Sequence, residues 1–240
     1  MTLTKSKQNA IIVGASGGIG RSTALVFASA GFRVALLGRS LDKIEALAQE
    51  IRNQGGQADA YFLDLAQTEV ISQKVSSIVE QIEGVDILVN AAGVACTSSL
   101  AQTSLADWRK TIDLNLTSVF QTVQGVLPKM REQKKGTIIN VASIAAHNAF
   151  TDWGAYCVSK AGLVKFSEVL SLEEKSNGIR VMVISPGAVN TPLWNTVDTN
   201  FDTTVMLLPD TVAHAILQAA LLPPEAVIQE MIITPSAGAL

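Results

Sequence analysis

The sequence predicts an α/β protein, a doubly wound sandwich in which a seven-stranded parallel sheet is flanked by helices. Two observations lead to this fold class. Short apolar runs rich in β-branched residues alternate with longer amphipathic stretches through most of the 240 residues. The runs are apolar without interruption, as in strands buried on both faces, and alternation of strand and helix favours parallel pairing with right-handed crossovers.

The predicted elements follow one another in a regular order. Strands are expected at residues 10–13, 34–37, 60–63, 85–89, 137–141, 179–184 and 231–233. Helices are expected at residues 19–30, 41–54, 67–82, 105–131, 155–176 and 209–221. The least regular stretch, residues 192–208, is a candidate substrate loop. Since neither a repeat nor a linker is visible, residues 1–240 are expected to form one domain.

The composition argues against several classes of function. With 18 basic and 21 acidic residues, a net charge of -3 gives no case for a nucleic-acid or membrane partner. The two cysteines, Cys96 and Cys157, form neither a disulfide framework nor a metal-binding spacing, and they suit a reducing compartment. No apolar segment resembles a signal peptide or a membrane span. We therefore expect a cytoplasmic protein that holds no metal.

A glycine-rich turn follows the first predicted strand. Gly14, Gly18 and Gly20 open the first helix, with Ser16 and Ile19 between them. Glycine allows a tight turn and a close approach of a pyrophosphate, and the helix N-terminus offers N–H donors and partial positive charge. The spacing, Gly-xxx-Gly-x-Gly, differs from the commoner dinucleotide fingerprint. The turn predicts dinucleotide binding in a Rossmann-type fold, and a turn without a ligand is the alternative.

The end of the second strand indicates which dinucleotide is bound. Rossmann proteins that use NAD usually carry an acid there, and those that use NADP carry a basic residue. Here Arg39 and Ser40 occupy this place, and no acid does. The guanidinium can pair with a 2′-phosphate and the hydroxyl can donate to it. The sequence thus favours NADP(H) over NAD(H), although a solvated arginine is the alternative.

Two further strand ends are expected to contact the dinucleotide. Asp64 and Leu65 close the third strand, where a carboxylate can accept from the adenine amino group. An N-cap for the following helix is an equally good interpretation of Asp64. Asn90, Ala91 and Gly93 close the fourth strand, where small residues let the backbone pass near the cofactor. Tight packing against a neighbouring strand is the alternative there.

Tyr156 and Lys160 form a candidate acid–base pair. They are four residues apart in a helical stretch and so share one face. A tyrosine has a pKa of about 10, and an ammonium about 4 Å away contributes roughly 4 kcal/mol at an effective dielectric of about 20. This is about three pKa units before desolvation opposes it. The pair is therefore predicted to bring the phenol towards neutrality.

Two polar residues complete the candidate site. Ser143 follows a predicted strand, 13 residues before Tyr156, and its hydroxyl can hold a substrate oxygen on which charge develops. A turn or helix-cap serine is the alternative. Asn115 lies inside a predicted helix, where asparagine is disfavoured, so its side chain is expected to bond backbone and open a site for water. A helix-packing asparagine is the alternative.

These segments, in this order, resemble the compact branch of the short-chain dehydrogenases/reductases over nearly the whole chain. The resemblance implies that Tyr156 is the general acid in carbonyl reduction and that Ser143 orients and polarises the carbonyl. Lys160 would bind the nicotinamide ribose and lower the pKa of Tyr156. Asn115 would hold a water in the proton relay behind Lys160.

The resemblance extends to the predicted strand at residues 179–184 and the segment after it. Pro186, Gly187 and Thr191 match the family pattern, and Thr191 with the Val189 backbone would anchor the nicotinamide carboxamide. The chain departs from the pattern at two positions. Val13 replaces the usual threonine before the first glycine, and Ala91 replaces the usual second asparagine after the fourth strand. These departures put local hydrogen bonding in doubt but leave the catalytic positions intact.

The implied activity is hydride transfer between NADP(H) and a carbonyl or secondary alcohol of a small substrate. His147, Phe150 and Trp153 are expected to form a wall of the pocket. A homotetramer or homodimer is implied, paired through the helices at 105–131 and 155–176. A 3-oxoacyl-[acyl-carrier-protein] reductase is the alternative enzyme. A non-catalytic NADP(H) sensor is disfavoured because tyrosine and lysine are both present, and a nucleotide-sugar epimerase because it needs a larger substrate domain.

Overall fold

A computed structural model describes residues 8–197 and 202–238. Within these residues, seven strands form one parallel sheet in the order β3-β2-β1-β4-β5-β6-β7. The strands are β1 Asn9–Val13, β2 Arg33–Gly38, β3 Gln57–Phe62, β4 Ile87–Asn90, β5 Gly136–Val141, β6 Ile179–Pro186 and β7 Glu230–Ile233. The predicted seven-stranded parallel sheet is therefore confirmed. The third strand begins three residues earlier than expected, because the polar residues at its start lie on the sheet edge.

The helices confirm the predicted alternation with one correction. They are α1 Gly18–Ser29, α2 Leu41–Asn53, α3 Thr68–Gln81, α4 Leu105–Ile112, α5 Ser118–Gln133, α6 Gly154–Glu174 and α7 Pro209–Ala220. The single helix predicted at 105–131 is instead α4 and α5, joined by a π-helical turn at Asp113–Thr117. None of the described helices combines the length and hydrophobicity that a membrane span requires.

The predicted substrate loop at 192–208 is described in part. Two short 3₁₀ turns, Pro192–Thr196 and Thr203–Val205, lie within it, and residues 198–201 are outside the described residues. The backbone of Leu207 pairs with Ala188 and Asn190, so the end of the loop lies beside the segment that follows β6.

Two apolar layers enclose the sheet. One contains Ile12 and Phe27 and packs against α1, α2 and α7, while the other contains Ile11 and Val123 and packs against α3, α5 and α6. Adjacent strand residues point to opposite faces, so consecutive isoleucines belong to different layers. This is why the strands have continuous apolar sequences rather than alternating ones.

The strand order reverses at β1. Strand β1 pairs with β2 on one side and with β4 on the other, so the connections that leave these strands run over opposite faces. In open α/β sheets such a reversal leaves a crevice beyond the carboxyl ends of the strands. The ends of β1 and β4, at Val13 and Asn90, therefore define where a ligand-binding cleft is expected.

Helices α3 and α5 approach each other closely at Gly125. A Cβ atom at this position would lie 2.6 Å from the Cβ of Val75 and 2.8 Å from the carbonyl oxygen of Ser72. We expect Gly125→Ala to lower the free energy of unfolding by about 1–3 kcal/mol, because the helices must separate to admit the methyl group. Urea unfolding of this variant and of Gln124→Ala, an exposed neighbour, measures the effect. Equal stabilities of the two variants would contradict the close packing.

Candidate active site

A cavity of about 530 Å³ opens beyond the carboxyl ends of the parallel strands. It is lined by the glycine-rich turn, the segments after β2, β3 and β4, the start of α6 and the segment after β6. This is the crevice that the strand order places at the ends of β1 and β4. The sheet topology thus brings residues distant in sequence to a single site.

The glycines of the turn are required by close backbone contacts. Gly14 has φ of 83°, and a Cβ there would lie 2.7 Å from the Ala92 nitrogen. A Cβ on Gly20 would lie 2.2 Å from the carbonyl oxygen of Gly14. Gly18 also has positive φ and faces Thr191 across the cavity mouth. Gly14 and Gly18 line the cavity, whereas Gly20 is buried beneath it, so Gly20 shapes the turn and does not face a ligand.

The start of α1 is built to receive an anion. Its N-cap residue is Gly17, in extended conformation, and no side chain caps the helix. Gly17, Gly18 and Ile19 all line the cavity, as does Ser16. An uncapped helix start leaves N–H groups without intrahelical partners and carries partial positive charge. These features fit the pyrophosphate of a dinucleotide.

Positive charge collects at the far end of the cavity, which we call the outer end. Arg39, Ser40 and Lys43 line it, and all three are exposed. Among the described lining residues the only acid is Asp64. Lys43 was not identified from the sequence, although its place four residues after Arg39, in the first turn of α2, was an available signal. The outer end therefore offers two cations and a hydroxyl to a phosphate.

Asp64 and Leu65 line the cavity as predicted, but the alternative interpretation of Asp64 is wrong. Its Oδ1 accepts a hydrogen bond from the backbone of Ala66 at 3.0 Å. Helix α3 begins only at Thr68, with Gln67 as its N-cap residue. Asp64 therefore shapes the turn before the helix and does not cap it.

Asn90 does not line the cavity, in contrast to Ala91 and Gly93, which do. Its Nδ2 donates to Asn140 Oδ1 at 2.9 Å, and its Oδ1 accepts from Thr122 at 2.8 Å. These buried bonds tie β4 to β5 and α5. The proposed cofactor contact of Asn90 is thus not made by its side chain, since a buried amide must be satisfied within the protein.

Three of the predicted catalytic residues meet at the opposite end of the cavity, which we call the catalytic end. Ser143 lies close enough to Tyr156 for its side chain to lower the pKa of the phenol. Ser143 Oγ also accepts from the backbone nitrogen of Ala145 at 3.1 Å. Lys160 Nζ donates to the carbonyl oxygen of Val141 at 2.9 Å and lies 5.7 Å from the centroid of the Tyr156 ring. All three side chains are buried.

Burial controls the protonation of the pair. It raises the pKa of Tyr156 to about 12, although the hydrogen bond with Ser143 opposes this shift. Burial also lowers the pKa of Lys160 to about 8. The pKa of Tyr156 therefore moves away from neutrality, contrary to the expectation for its pair with Lys160, because loss of solvation is the largest cause of the shift. At neutral pH the tyrosine holds its proton and the lysine is mostly charged.

Asn115 joins the catalytic helix to the loop after β4. Its Oδ1 accepts from Val94 N at 2.8 Å, and its Nδ2 donates to Val94 O and to Ser159 Oγ, each at 2.9 Å. The side chain is fully buried, in the π-helical turn. The expected hydrogen bonds from the Asn115 side chain to backbone are therefore made, to Val94, and the role of Asn115 in a proton relay stays a prediction. A Cβ on Gly93 would lie 3.4 Å from its Oδ1 and 3.5 Å from Lys160 Nζ, so both groups reach one edge of the cavity.

The segment after β6 also lines the cavity. Pro186, Gly187, Val189 and Thr191 all face it, as the resemblance implied. Gly187 N donates to Ile233 O at 2.8 Å, which fixes the segment to β7. The Val189 carbonyl accepts from the indole of Trp194 at 2.8 Å.

The family model described as short chain dehydrogenase matches residues 8–201. The chain belongs to this family. A sepiapterin reductase of Chlorobaculum tepidum is 32% identical over 235 residues, which cover 95% of this chain and 96% of that protein. A 3-oxoacyl-[acyl-carrier-protein] reductase of Synechocystis is 34% identical over 187 residues, covering 78% of this chain and 76% of the relative.

A solved structure gives the same result at the level of the fold. A metagenomic short-chain oxidoreductase in complex with NADP is 30% identical and superposes with a TM-score of 0.84. The match covers 95% of this chain and 97% of that one. The sheet and helices of this short-chain dehydrogenase are thus those of its family over nearly their full length.

Aromatic rings form one side of the catalytic end of the dehydrogenase cleft. Phe150, Trp153 and Trp194, here called the aromatic wall, all line it. Trp153 meets the Tyr156 ring edge-on at 5.4 Å and the Trp194 ring at 6.0 Å between centroids. His147, predicted in this wall, is absent from the lining because its imidazole turns to Glu230.

The described residues contain no group of three or more His, Cys, Asp or Glu that could hold a metal ion.

Proposed function

We propose that this short-chain dehydrogenase uses NADPH to reduce the carbonyl group of a small, neutral, apolar substrate, and reversibly oxidises the secondary alcohol. The observation that carries the proposal is that Ser143, Tyr156 and Lys160 are buried together and line one cavity. This acid–base group lies in the same cavity as the uncapped start of α1. The cavity therefore joins an anion site to a proton donor.

The residues that line the cavity fit NADP(H). The start of α1 would hold the pyrophosphate, and Arg39, Ser40 and Lys43 would hold the 2′-phosphate. The related metagenomic oxidoreductase binds NADP, which supports the same choice here. Lys160 would donate to the ribose hydroxyls. When bound, the cofactor supplies the hydride for the carbonyl carbon.

The protein supplies the proton. Because burial raises the pKa of Tyr156 to about 12, the phenol is protonated at neutral pH and can donate to a carbonyl oxygen as that oxygen gains charge. Ser143 would hold the same oxygen through its hydroxyl and stabilise the developing charge. The mostly protonated Lys160 would stabilise the phenolate that remains. In the oxidation direction the phenolate form of Tyr156 would accept the proton of the alcohol.

The lining of the catalytic end favours a neutral, apolar substrate. Apart from Lys160, the described residues there carry no charge; they include Val94, Leu114 and the aromatic wall. Desolvation of a carboxylate in such a place is unfavourable without a partner, whereas an alkyl or aromatic group is stabilised. The basic residues Arg39 and Lys43 lie at the outer end, where the cofactor phosphate is proposed.

A 3-oxoacyl-[acyl-carrier-protein] reductase is the second candidate. The Synechocystis relative of that name supports it, but the match covers 76% of that protein, against 96% of the sepiapterin reductase. A non-catalytic sensor has less support, because the described catalytic groups contact one another.

A single domain over residues 1–240 and a cytoplasmic location stay predictions. The free cysteines Cys96 and Cys157 agree with a cytoplasmic location.

We also propose that copies of the chain pair through α4, α5 and α6. These helices expose Leu105, Phe120, Val158, Val169 and Leu172, the last of them 78% exposed. Large apolar side chains exposed on neighbouring helices are typical of subunit interfaces. Light scattering should give two or four times the chain mass of 25.4 kDa, and Leu172→Lys should reduce it. A monomer at the chain mass would contradict the pairing, and Gln218→Lys, at an exposed position of α7 on the other face of the sheet, is the control.

Tyr156→Phe tests the proposed chemistry. NADPH oxidation is followed by absorbance over neutral ketones and aldehydes, 3-oxo acids and acetoacetyl thioesters. We expect the wild type to prefer neutral apolar carbonyls, and the variant to lose at least about a hundredfold in kcat with nearly unchanged affinity for NADPH, because only the proton donor is removed. Preference for the thioesters would favour the second candidate. Near-normal activity of Tyr156→Phe would exclude its proposed role.

Arg39→Asp tests the proposed cofactor choice. Replacing the guanidinium with a carboxylate should shift the ratio of kcat/KM for NADPH to that for NADH by about tenfold or more towards NADH. Lys43→Gln should shift the ratio in the same direction by less, since it removes one charge and adds none. Arg109→Asp, an exposed site on α4, is the control. An unchanged ratio in Arg39→Asp would mean that the 2′-phosphate is held elsewhere.

A further inference from the structure

Glu230, the first residue of β7, bonds two segments that border the active site. Its Oε1 accepts from Ser185 Oγ at 2.5 Å and lies 2.6 Å from His147 Nε2. A carboxylate only accepts hydrogen bonds, so the second contact places the imidazole proton on Nε2. Both contacts use one oxygen atom. They join β6, β7 and the segment before α6, which are far apart in sequence.

The carboxylate lies on the face of the sheet that α6 covers. Glu230 pairs with Val183 in the parallel register, and Ser185 is two residues further along β6, on the same face. Val183 belongs to the apolar layer that packs against α6, the helix that carries Tyr156 and Lys160. Glu230 thus lies on the catalytic side of the sheet without lining the cavity.

His147 ends the turn that Ser143 begins. Ser143 Oγ accepts from Ala145 N, and Ser143 O accepts from Ala146 N at 2.9 Å. His147 N then donates to Ile144 O at 3.0 Å. We call residues 143–148 the serine turn. Because these bonds hold residues 143 to 147 together in one turn, a contact that fixes the imidazole of His147 also restrains Ser143.

Ser185 connects the same carboxylate to the cofactor side of the cleft. It is fully buried and immediately precedes Pro186 and Gly187, which line the cavity. Ala142, next to Ser143, also donates its N–H to Ile184 O at 2.8 Å. The backbone therefore connects the start of the serine turn to β6, whereas the Glu230 carboxylate connects the end of the turn to it.

We propose that Glu230 is a positioning residue for the reaction, acting through His147 to hold the serine turn so that Ser143 stays beside Tyr156. Charge-assisted hydrogen bonds are the stronger class and set geometry as well as energy. The carboxylate does not line the cavity in which substrate and cofactor are proposed to bind. The inference rests on the proposed carbonyl reduction for its kinetic consequence, but the contacts themselves exist independently of it.

Glu230→Ala should lower kcat for carbonyl reduction by about ten- to hundredfold, the effect of displacing a catalytic group by about 1 Å. The dissociation constant for NADPH should change much less. Glu230→Gln should restore most of the activity, because its amide oxygen can still accept from both partners. His147→Ala should reproduce much of the loss. Glu225→Ala, an exposed carboxylate in the same C-terminal segment, should behave as wild type.

A double-mutant cycle separates positioning from general loss of structure. If Glu230 acts through Ser143, Glu230→Ala should have little further effect on kcat in a Ser143→Ala background. Full additivity of the two losses would overturn the proposal, as would wild-type kcat in Glu230→Ala. A loss that Glu230→Gln does not restore would overturn the hydrogen-bonding role.

Hydrogen exchange tests the contact apart from the reaction. Glu230→Ala should speed amide exchange in the serine turn while the peptides of α1 and β1 exchange as in the wild type. Unchanged exchange in the serine turn would overturn the proposal. If the wild type itself reduces none of the carbonyl compounds, the proposed function fails, and the exchange result still decides whether Glu230 holds the turn.

Discussion

The active site depends on one buried side chain, the amide of Asn115. Through three hydrogen bonds it connects the loop after β4 to the catalytic helix α6. Its own backbone belongs to the π-helical turn between α4 and α5, so a third segment is fixed at the same point. Without these bonds the fully buried amide of Asn115 would be unpaired, which is unfavourable by about 1–3 kcal/mol for each group. Gly93 and Lys160 are then placed side by side.

The fold was predictable because burial on both faces leaves a strong local signature. Consecutive apolar residues such as Ile11 and Ile12 serve opposite layers of the core, so each strand is evident from its own sequence. The break between α4 and α5 was not predictable in the same way. The apolar periodicity continues through it, and only the contacts of Asn115 with distant residues require the wider turn.

The sequence predicted which residues meet in the candidate site better than it predicted their protonation or the orientation of their side chains. Tyr156, Ser143 and Lys160 meet as their spacing and order suggested. The predicted shift in the pKa of Tyr156 was wrong in direction. Burial is the largest cause of the shift, and burial depends on the tertiary structure rather than on the local sequence. Asn90 turns away from the cavity for a similar reason. A polar side chain at a strand end can face a ligand or a buried network, and the partners Asn140 and Thr122 are distant in sequence.

The π-helical turn makes the length of this segment as important as its composition. A turn with i→i+5 bonding holds one more residue than an α-helical turn. Deleting one residue within Asp113–Thr117 would therefore leave an α-helical turn and keep Val119 and Val123 of α5 against the sheet. The same deletion would displace the side chain of Asn115 from Val94 and Ser159, so the extra residue serves the position of this amide rather than the packing of the helix.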